Sequence, residues 1–203
     1  GDNKLDSIFA KRNQFGADLV SAFMGDSRYC GEAWMFSGYS SLGMNVVNHV
    51  CATGYFSFGH EIGHNLGCEH NRESSIPPYH SYAHGFRDPR SSFRTILSYD
   101  CEVACRRMQI FSNPDGKIEL YSVKTKRREL YSVGDSRHDN ARQINMVKNK
   151  VAKFRQCKNI SVSTRSPTYS PKPQPKSLTV LVGSSIHVLG PPRPVPTQEK
   201  YGW

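Results

Sequence analysis

The chain has 203 residues, a length that suits one ordinary domain with some additional chain. Apolar residues make up 37% of the sequence, and no apolar run reaches the roughly 18 residues of a transmembrane helix, so no membrane span is expected. Lysine and arginine number 27 against 17 acidic residues, and the resulting net charge of +10 favours contact with anionic surfaces or acidic substrates.

The N-terminal part of the chain combines a helical pattern with an apolar run. Residues 4–24 begin with helical spacing and end in Ala17–Met24, which is too short for its periodicity to separate a strand from a helix end. Residues 29–50 are predicted to form extended segments with Gly and Ser turns. The start, Gly-Asp-Asn-Lys, has neither an export signal nor an initiator Met, so we expect a fragment or a mature form.

The segment 60–70 reads His-Glu-Ile-Gly-His-Asn-Leu-Gly-Cys-Glu-His. Residues His60 to Leu66 are predicted to lie in a helix that Gly67 ends, because glycine tolerates the left-handed conformation at a helix C-terminus. On this helix His60 and His64 are one turn apart, so both imidazoles project from the same face. The sharp turn at Gly67 brings His70 round as a third ligand. The spacing therefore predicts a metal site with three histidine ligands.

Three histidines and one water form the open tetrahedral site of catalytic zinc, so we expect one catalytic Zn²⁺. Zinc lowers the pKa of its water to roughly 7 and polarises a substrate carbonyl. Glu61 follows the first ligand directly and is predicted to accept the proton of that water and to deliver it to the leaving amine. Because this motif on a helix is typical of metalloproteases, we expect protein or peptide substrates. His80 and His84 lie in the next loop and are predicted to be surface residues.

Beyond the motif, the pattern predicts a loop, a possible hairpin and a helix. Residues 71–94 are polar and rich in turn signals, which predicts a loop. The sequence Glu-Leu-Tyr-Ser-Val occurs at both 119–123 and 129–133, which indicates either a hairpin or a local duplication. The last predicted helix spans Asp139 to Gln156, because four apolar residues fall on one face: Ile144, Val147, Val151 and Phe154.

Charge and proline content divide the chain. From Arg106 to Lys158 there are 14 basic and 5 acidic residues, which we interpret as a solvated face. No nucleic-acid-binding module accompanies these charges, so no nucleic-acid partner is predicted. Eight of the 12 prolines lie in residues 159–203, which should be extended and mostly disordered. We therefore predict a domain at 1–158 and a low-complexity tail at 159–203.

An even number of cysteines in a small domain fits an oxidising compartment, and it predicts a secreted protein. Cys101 and Cys105 are close enough to close a small loop, and Cys30 with Cys51 is a plausible second pair, although six cysteines allow 15 pairings. Cys68 lies between two ligands and is interpreted as a disulfide partner or a buried thiol. The sixth cysteine of the chain is Cys157.

The extended motif resembles the signature HExxHxxGxxH of the metzincin metalloproteases. Within them the chain looks most like the reprolysin-like group, especially the bacterial peptidyl-Asp metalloendopeptidase type. The resemblance covers roughly residues 15–157. It implies an α+β fold, with a twisted mixed sheet, an active-site helix and a C-terminal helix, and it implies zinc endopeptidase activity. Metzincins normally place a strand, a helix and a strand before this region, so we expect a domain truncated at its N-terminus, with an exposed sheet edge. The supporting segments are Cys51–Thr53, Phe93–Cys101 and Phe111–Pro114.

The resemblance also assigns roles to residues outside the motif. Leu97 stands where the family has the Met of a turn beneath the metal, and its similar volume preserves an apolar floor. Tyr99 becomes a candidate oxyanion donor, with a packed aromatic as the alternative. Asn71 replaces the Asp that reprolysins usually carry, which predicts weaker support of the ligands. Arg106 and Arg107 fall in the segment that lines the pocket beyond the scissile bond. They would favour an acidic residue there, unless both simply face solvent.

Three functions compete at this point. The first is a secreted zinc endopeptidase. The second is a catalytically impaired metzincin fragment that acts as a zinc-binding or interaction module, which the missing N-terminal elements and Leu97 would explain. The third is a basic protein that binds anionic partners through residues 106–158. The intact Glu61 favours the first. The sequence leaves the oligomeric state undetermined.

Overall fold

The computed structural model describes residues 6–25, 28–74, 80–122 and 124–156. The helices in these ranges are α1 (Asp6–Phe15), α2 (Ser57–Asn65) and α3 (Asn140–Val151), with a 3-10 turn at Ser40–Leu42. The strands are β1 (Val20–Met24), β2 (Gly31–Ala33), β3 (Met44–Asn48), β4 (Phe93–Arg94), β5 (Arg106–Arg107), β6 (Asn113–Ser122) and β7 (Arg127–Val133). The predicted α+β class is confirmed. The predicted tail, 159–203, lies outside the described residues.

A three-stranded mixed sheet in the order β1-β3-β2 carries the N-terminal half. β1 runs parallel to β3, with Val20 opposite Met44, and β2 runs antiparallel to β3, with Gly31 opposite Val47. The apolar run before Gly25 is therefore a strand and not a helix end. Pairing with β3 decides between the two conformations, and that contact is invisible to local periodicity.

Helix α2 is attached to this sheet through the buried amide of Asn65. Its Oδ1 accepts a hydrogen bond from Asn45 Nδ2 at 2.7 Å. Its Nδ2 donates to the carbonyl oxygens of Trp34 and Met44, at 2.8 and 3.0 Å. An apolar side chain at position 65 would leave these buried polar groups without a partner, at a cost of about 1–3 kcal/mol each. The amide thus sets the position of α2 relative to the sheet.

Both predicted disulfides are present, joining Cys30 to Cys51 and Cys101 to Cys105. The first connects the start of β2 to the loop that precedes α2. Cys68 is a buried free thiol whose pKa is raised by burial, so the buried-thiol interpretation is confirmed. In the part of the chain with described coordinates, no helix has the length and apolar character needed to cross a bilayer.

Helix α3 contacts the end of α2, where Gln143 Nε2 donates a hydrogen bond to Leu66 O at 3.2 Å. Asp139 caps it, because its carboxylate accepts a hydrogen bond from the Arg142 amide at 2.9 Å. Val147 and Val151 pack against Phe36, as the apolar face predicts. The helix ends at Val151, before the predicted limit of Gln156.

The repeated pentapeptide forms a hairpin. In the β6–β7 pair, Glu119 lies opposite Leu130 and Leu120 lies opposite Glu129, so the first two residues of each copy pair across the antiparallel strands. The inner face of the hairpin packs on Phe86 and Phe93. Its outer face carries Lys117 and Arg128, as expected for a solvated basic surface.

Candidate active site

Two of the three candidate ligands lie on α2, and the turn after this helix carries the chain back to the third. His60 and His64 are buried on one face of the helix. The helix ends where Cys68 N donates to Gly63 O at 2.9 Å, and Gly67 between them adopts a φ of +82°. A side chain at position 67 would be strained at that φ, so the glycine predicted to turn the chain is required by the backbone.

The three imidazoles converge as the motif predicts. The Nε2 atoms of His60, His64 and His70 lie 3.1 Å from one another. Two ligands of a tetrahedral zinc ion, at about 2.0–2.1 Å from the metal, are about 3.3 Å apart, close to the observed separation. Three nitrogen lone pairs pointing at one point repel one another unless a cation lies between them. The donor set therefore fits a divalent ion, and zinc favours such an imidazole set.

The remaining ring nitrogens show which tautomer each histidine adopts. His60 Nδ1 donates to Ile96 O and His64 Nδ1 donates to Cys68 O, both at 2.8 Å. Because Nδ1 carries the proton, Nε2 is left as a lone-pair donor towards the shared point. Burial lowers the pKa of His60 well below its ordinary value and lowers that of His64 to about 4, so both are neutral at physiological pH.

Glu61 is a buried carboxylate at the same site. Its side chain is 1% exposed, and among the described residues Oε1 has no hydrogen-bond partner. Burial raises the pKa of Glu61 to about 8, and the positive charge of Arg107 opposes that shift. An unpaired buried carboxylate is costly to maintain. A group of this kind beside the metal ligands is suited to hold a proton during a reaction.

Glycine at position 31 makes room for this carboxylate, a role that the sequence analysis missed. A Cβ placed on Gly31 would lie 2.6 Å from both Cγ and Cδ of Glu61. Gly31 follows the disulfide-bonded Cys30 and pairs with Val47 in the sheet. No local sequence signal distinguishes this glycine from the turn glycines around it.

The region beneath the ligands is apolar, as predicted. Leu97 is fully buried and packs with Ile96 and Cys68. A Cβ added to Gly63 would lie 2.8 Å from Leu97 Cδ2, so the leucine fits closely under the helix. The apolar floor is thus formed by leucine in place of methionine.

Tyr99 stacks on the third ligand, with 4.1 Å between the ring centroids of Tyr99 and His70. Its backbone amide donates to Asn71 Oδ1 at 2.9 Å, and Asn71 is itself 1% exposed. The amide oxygen of Asn71 thus holds the segment under the metal site without a negative charge. The role of the Tyr99 hydroxyl remains a prediction.

The prediction that His84 lies at the surface is wrong. It is 4% exposed, and its Nδ1 lies 3.0 Å from His70 O. The loop folds back so that Glu69 and His84 form a β-bridge, which the polar sequence of this loop did not indicate. His80 is half-buried, and its Nδ1 lies 2.7 Å from Gln143 Oε1.

The two predicted substrate-binding arginines have different surroundings. Arg106 is exposed, whereas Arg107 is half-buried. Arg107 Nη1 donates to Tyr55 O at 3.1 Å, and Nη2 lies 2.9 Å from His60 Nδ1. Burial, with the neighbouring Arg94 acting in the same direction, lowers the pKa of Arg107 to about 9. Substrate contact by either arginine remains a prediction, but only Arg107 is close to a ligand.

Three imidazoles on a helix and its following turn, with an adjacent buried carboxylate, form a cluster that could hold a metal ion and that is typical of the metallopeptidase class. The comparisons with known proteins agree. Residues 2–71 match the family model described as metallo-peptidase family M12B, reprolysin-like. The predicted resemblance to the reprolysin-like metallopeptidases is therefore confirmed. No solved structure matches the chain.

Curated relatives carry the name peptidyl-Asp metalloendopeptidase. The chain is 40% identical to one from Stenotrophomonas maltophilia over 119 residues, which is 56% of this chain and 28% of the relative. It is 38% identical to one from Xanthomonas campestris over 116 residues, 56% of this chain and 27% of the relative. A third, from Pseudomonas fragi, is 43% identical over 72 residues, 34% of this chain and 49% of the relative. The chain thus spans between about a quarter and a half of the length of these relatives.

Proposed function

We propose that this domain is a zinc-dependent metalloendopeptidase in which Glu61 serves as the general base and acid. The observation that carries this proposal is the convergence of three Nε2 atoms 3.1 Å apart. His60, His64 and His70 would hold the ion. When bound, zinc supplies a Lewis acid that polarises the scissile carbonyl and makes the attacking water more acidic.

The residues around the ion would transfer the proton, stabilise the oxyanion and orient the ligands. A bound divalent cation would favour the ionised form of Glu61, and its carboxylate would then take the proton from the attacking water and return it to the departing amine nitrogen. The Tyr99 hydroxyl would donate a hydrogen bond to the oxyanion formed from the substrate carbonyl, and the stacking of its ring on His70 supports a role near the site. The hydrogen bonds from Nδ1 of His60 and His64 keep both rings oriented towards the ion.

Metal removal tests the proposal directly. We expect purified protein to contain one zinc per chain and to hydrolyse an unfolded protein substrate. A chelator should abolish that hydrolysis, because the histidines alone provide no Lewis acid. Zinc added back should restore it, whereas magnesium, which prefers oxygen ligands, should not. Metal content is measured by elemental analysis and hydrolysis by product formation. Hydrolysis that persists in the metal-free protein would contradict the proposal.

We also propose a preference for an acidic residue on the leaving side of the cleaved bond. Arg107 places a half-buried cation beside His60, where solvent screens its charge less than that of a surface arginine. The name of the relatives, peptidyl-Asp metalloendopeptidase, agrees with such a preference. The guanidinium would bind the substrate carboxylate from one side of the site.

The preference can be measured with paired peptides that differ only in Asp or Leu after the scissile bond. We expect Arg107→Gln to lower the Asp-to-Leu ratio of kcat/KM by about 10-fold, since a hydrogen bond to a charged group contributes about 1.5–3 kcal/mol. Arg106→Gln is the matched control, because it removes the same charge from an exposed neighbour. Equal cleavage before Asp and Leu by the wild-type protein would refute this preference.

We propose that the protein is secreted. Its two disulfides support this, because such bonds persist in an oxidising compartment. Its proposed partners are protein or peptide substrates. The alternative, a fragment that holds zinc without cleaving, is not favoured. Glu61 is present and buried at the site, whereas a module that only binds zinc has no use for a general base.

A further inference from the structure

The three candidate ligands differ in which group contacts their Nδ1 atom. His60 and His64 donate from Nδ1 to backbone carbonyls, and His60 Nδ1 also lies 2.9 Å from the Arg107 guanidinium. His70 has an anionic partner, because its Nδ1 lies 3.1 Å from Glu69 Oε1. Glu69 occupies one of the unspecified positions of the histidine motif, so the motif by itself assigns it no role.

The Glu69 carboxylate is held firmly in this position. Its side chain is 6% exposed, and Oε1 also accepts a hydrogen bond from the backbone amide of His70 at 2.7 Å. The backbone of Glu69 is fixed on both sides, because its amide donates to Ala83 O at 2.8 Å and its carbonyl accepts from Gly85 N at 2.9 Å. The side chain thus has little freedom to turn towards solvent.

A carboxylate in this place does two things that a carbonyl does less well. By accepting the Nδ1 proton it fixes the tautomer and the orientation of the ring, and it makes Nε2 more basic. It also brings a negative charge close to a site whose other ligands are neutral. A buried carboxylate is favourable only where positive charge or hydrogen bonds compensate its desolvation, and a bound divalent cation provides such charge.

We propose that Glu69 is a positioning residue of the metal centre, which orients His70 and strengthens metal binding through the contact from Oε1 to Nδ1. This inference rests on the metal site of the proposed function. It adds a residue that acts through a ligand and does not touch the ion.

The test measures zinc affinity by competition with a chromophoric chelator, independently of hydrolysis. We expect Glu69→Ala to weaken zinc binding by about 10–100-fold, the usual effect of losing a partner that orients a ligand. Glu69→Gln keeps the shape and a neutral acceptor, so its zinc affinity should fall between those of the wild type and the alanine variant. If Glu69→Ala does not fold, the glutamine variant alone decides, and wild-type affinity in that variant overturns the proposal.

Glu73→Ala is the control, because Glu73 is an exposed acid in the same loop that contacts Asn71 and none of the ligands. Its zinc affinity should stay within about twofold of wild type, since exposed charges are well screened. Two results would show that Glu69 does not position the ligand. One is an equal loss of zinc affinity in the Glu73→Ala control. The other is a Glu69→Ala protein whose metal-free form melts at a lower temperature but whose zinc affinity is unchanged. Hydrolysis is assayed in parallel on the wild type. If the wild type binds zinc but does not cleave, the proposed peptidase function is wrong. The role of Glu69 is then still decided by the zinc affinities of the variants.

Discussion

Glu61→Gln is expected to reduce peptide hydrolysis by about 10³-fold while the protein keeps its zinc, since general acid–base catalysis contributes about 10²–10⁴-fold. The substitution preserves the size of the side chain and removes its ability to take a proton. The side chain is 1% exposed, and the neutral amide avoids the burial cost of a carboxylate, so folding should not suffer. The measurements are kcat/KM on a peptide substrate and zinc content per chain.

Glu32→Gln provides the control for this experiment. Glu32 is an exposed acid on β2 that acts on Glu61 only through its charge. Its removal should change kcat/KM by no more than a few-fold. If a folded, zinc-loaded Glu61→Gln protein retained the wild-type rate, Glu61 could not be the group that moves the proton, and the mechanism proposed above would be wrong.

Gly31→Ala is expected to have the second largest effect, a loss of about 10²-fold in kcat, because a displacement of about 1 Å at a catalytic group can cost that much. The new methyl group would lie 2.6 Å from Cγ and Cδ of Glu61, a separation that no real contact sustains. The strand cannot retreat easily, since Cys30 is tied to Cys51 and Gly31 is paired with Val47. The carboxylate must therefore move.

The measurement separates kcat from KM and includes zinc content, since a displaced base should lower kcat with little change in the other two. Gly54→Ala is the matched control, because a Cβ at that exposed position meets nothing within 4 Å. Its kinetics should equal those of the wild type. A Gly31→Ala protein with an unaltered kcat would mean that Glu61 has room that the structure does not indicate.

Much of the site was predictable because its information is local. His60, Glu61 and His64 lie within one turn of a helix, and Gly67 fixes where that helix ends. Helical periodicity and the conformational freedom of glycine are enough to predict where His70 returns. The two disulfides and the hairpin were also accessible, since each joins residues close together in the chain.

Other features escaped prediction for identifiable physical reasons. His84 has the polar neighbours of a surface residue, yet the loop folds back and buries it against the third ligand. The weaker support of the ligands by Asn71 stays a prediction, and the sequence did not indicate that its amide oxygen accepts a hydrogen bond from Tyr99 N. In both cases a loop conformation controls the outcome, and loops carry little periodic signal.

The spacing of histidines, a glutamate and a glycine along the chain was sufficient to predict the candidate ligands, the proposed general base and the class of chemistry, because one helical turn and one tight turn bring them together. The surroundings of these residues depended on the folded chain. The acceptor of the His60 Nδ1 proton is Ile96, 36 residues away, and the strand that leaves room for Glu61 carries Gly31. Contacts of this kind join segments that approach each other only after sheet, helix and loop have packed, so no local pattern encodes them.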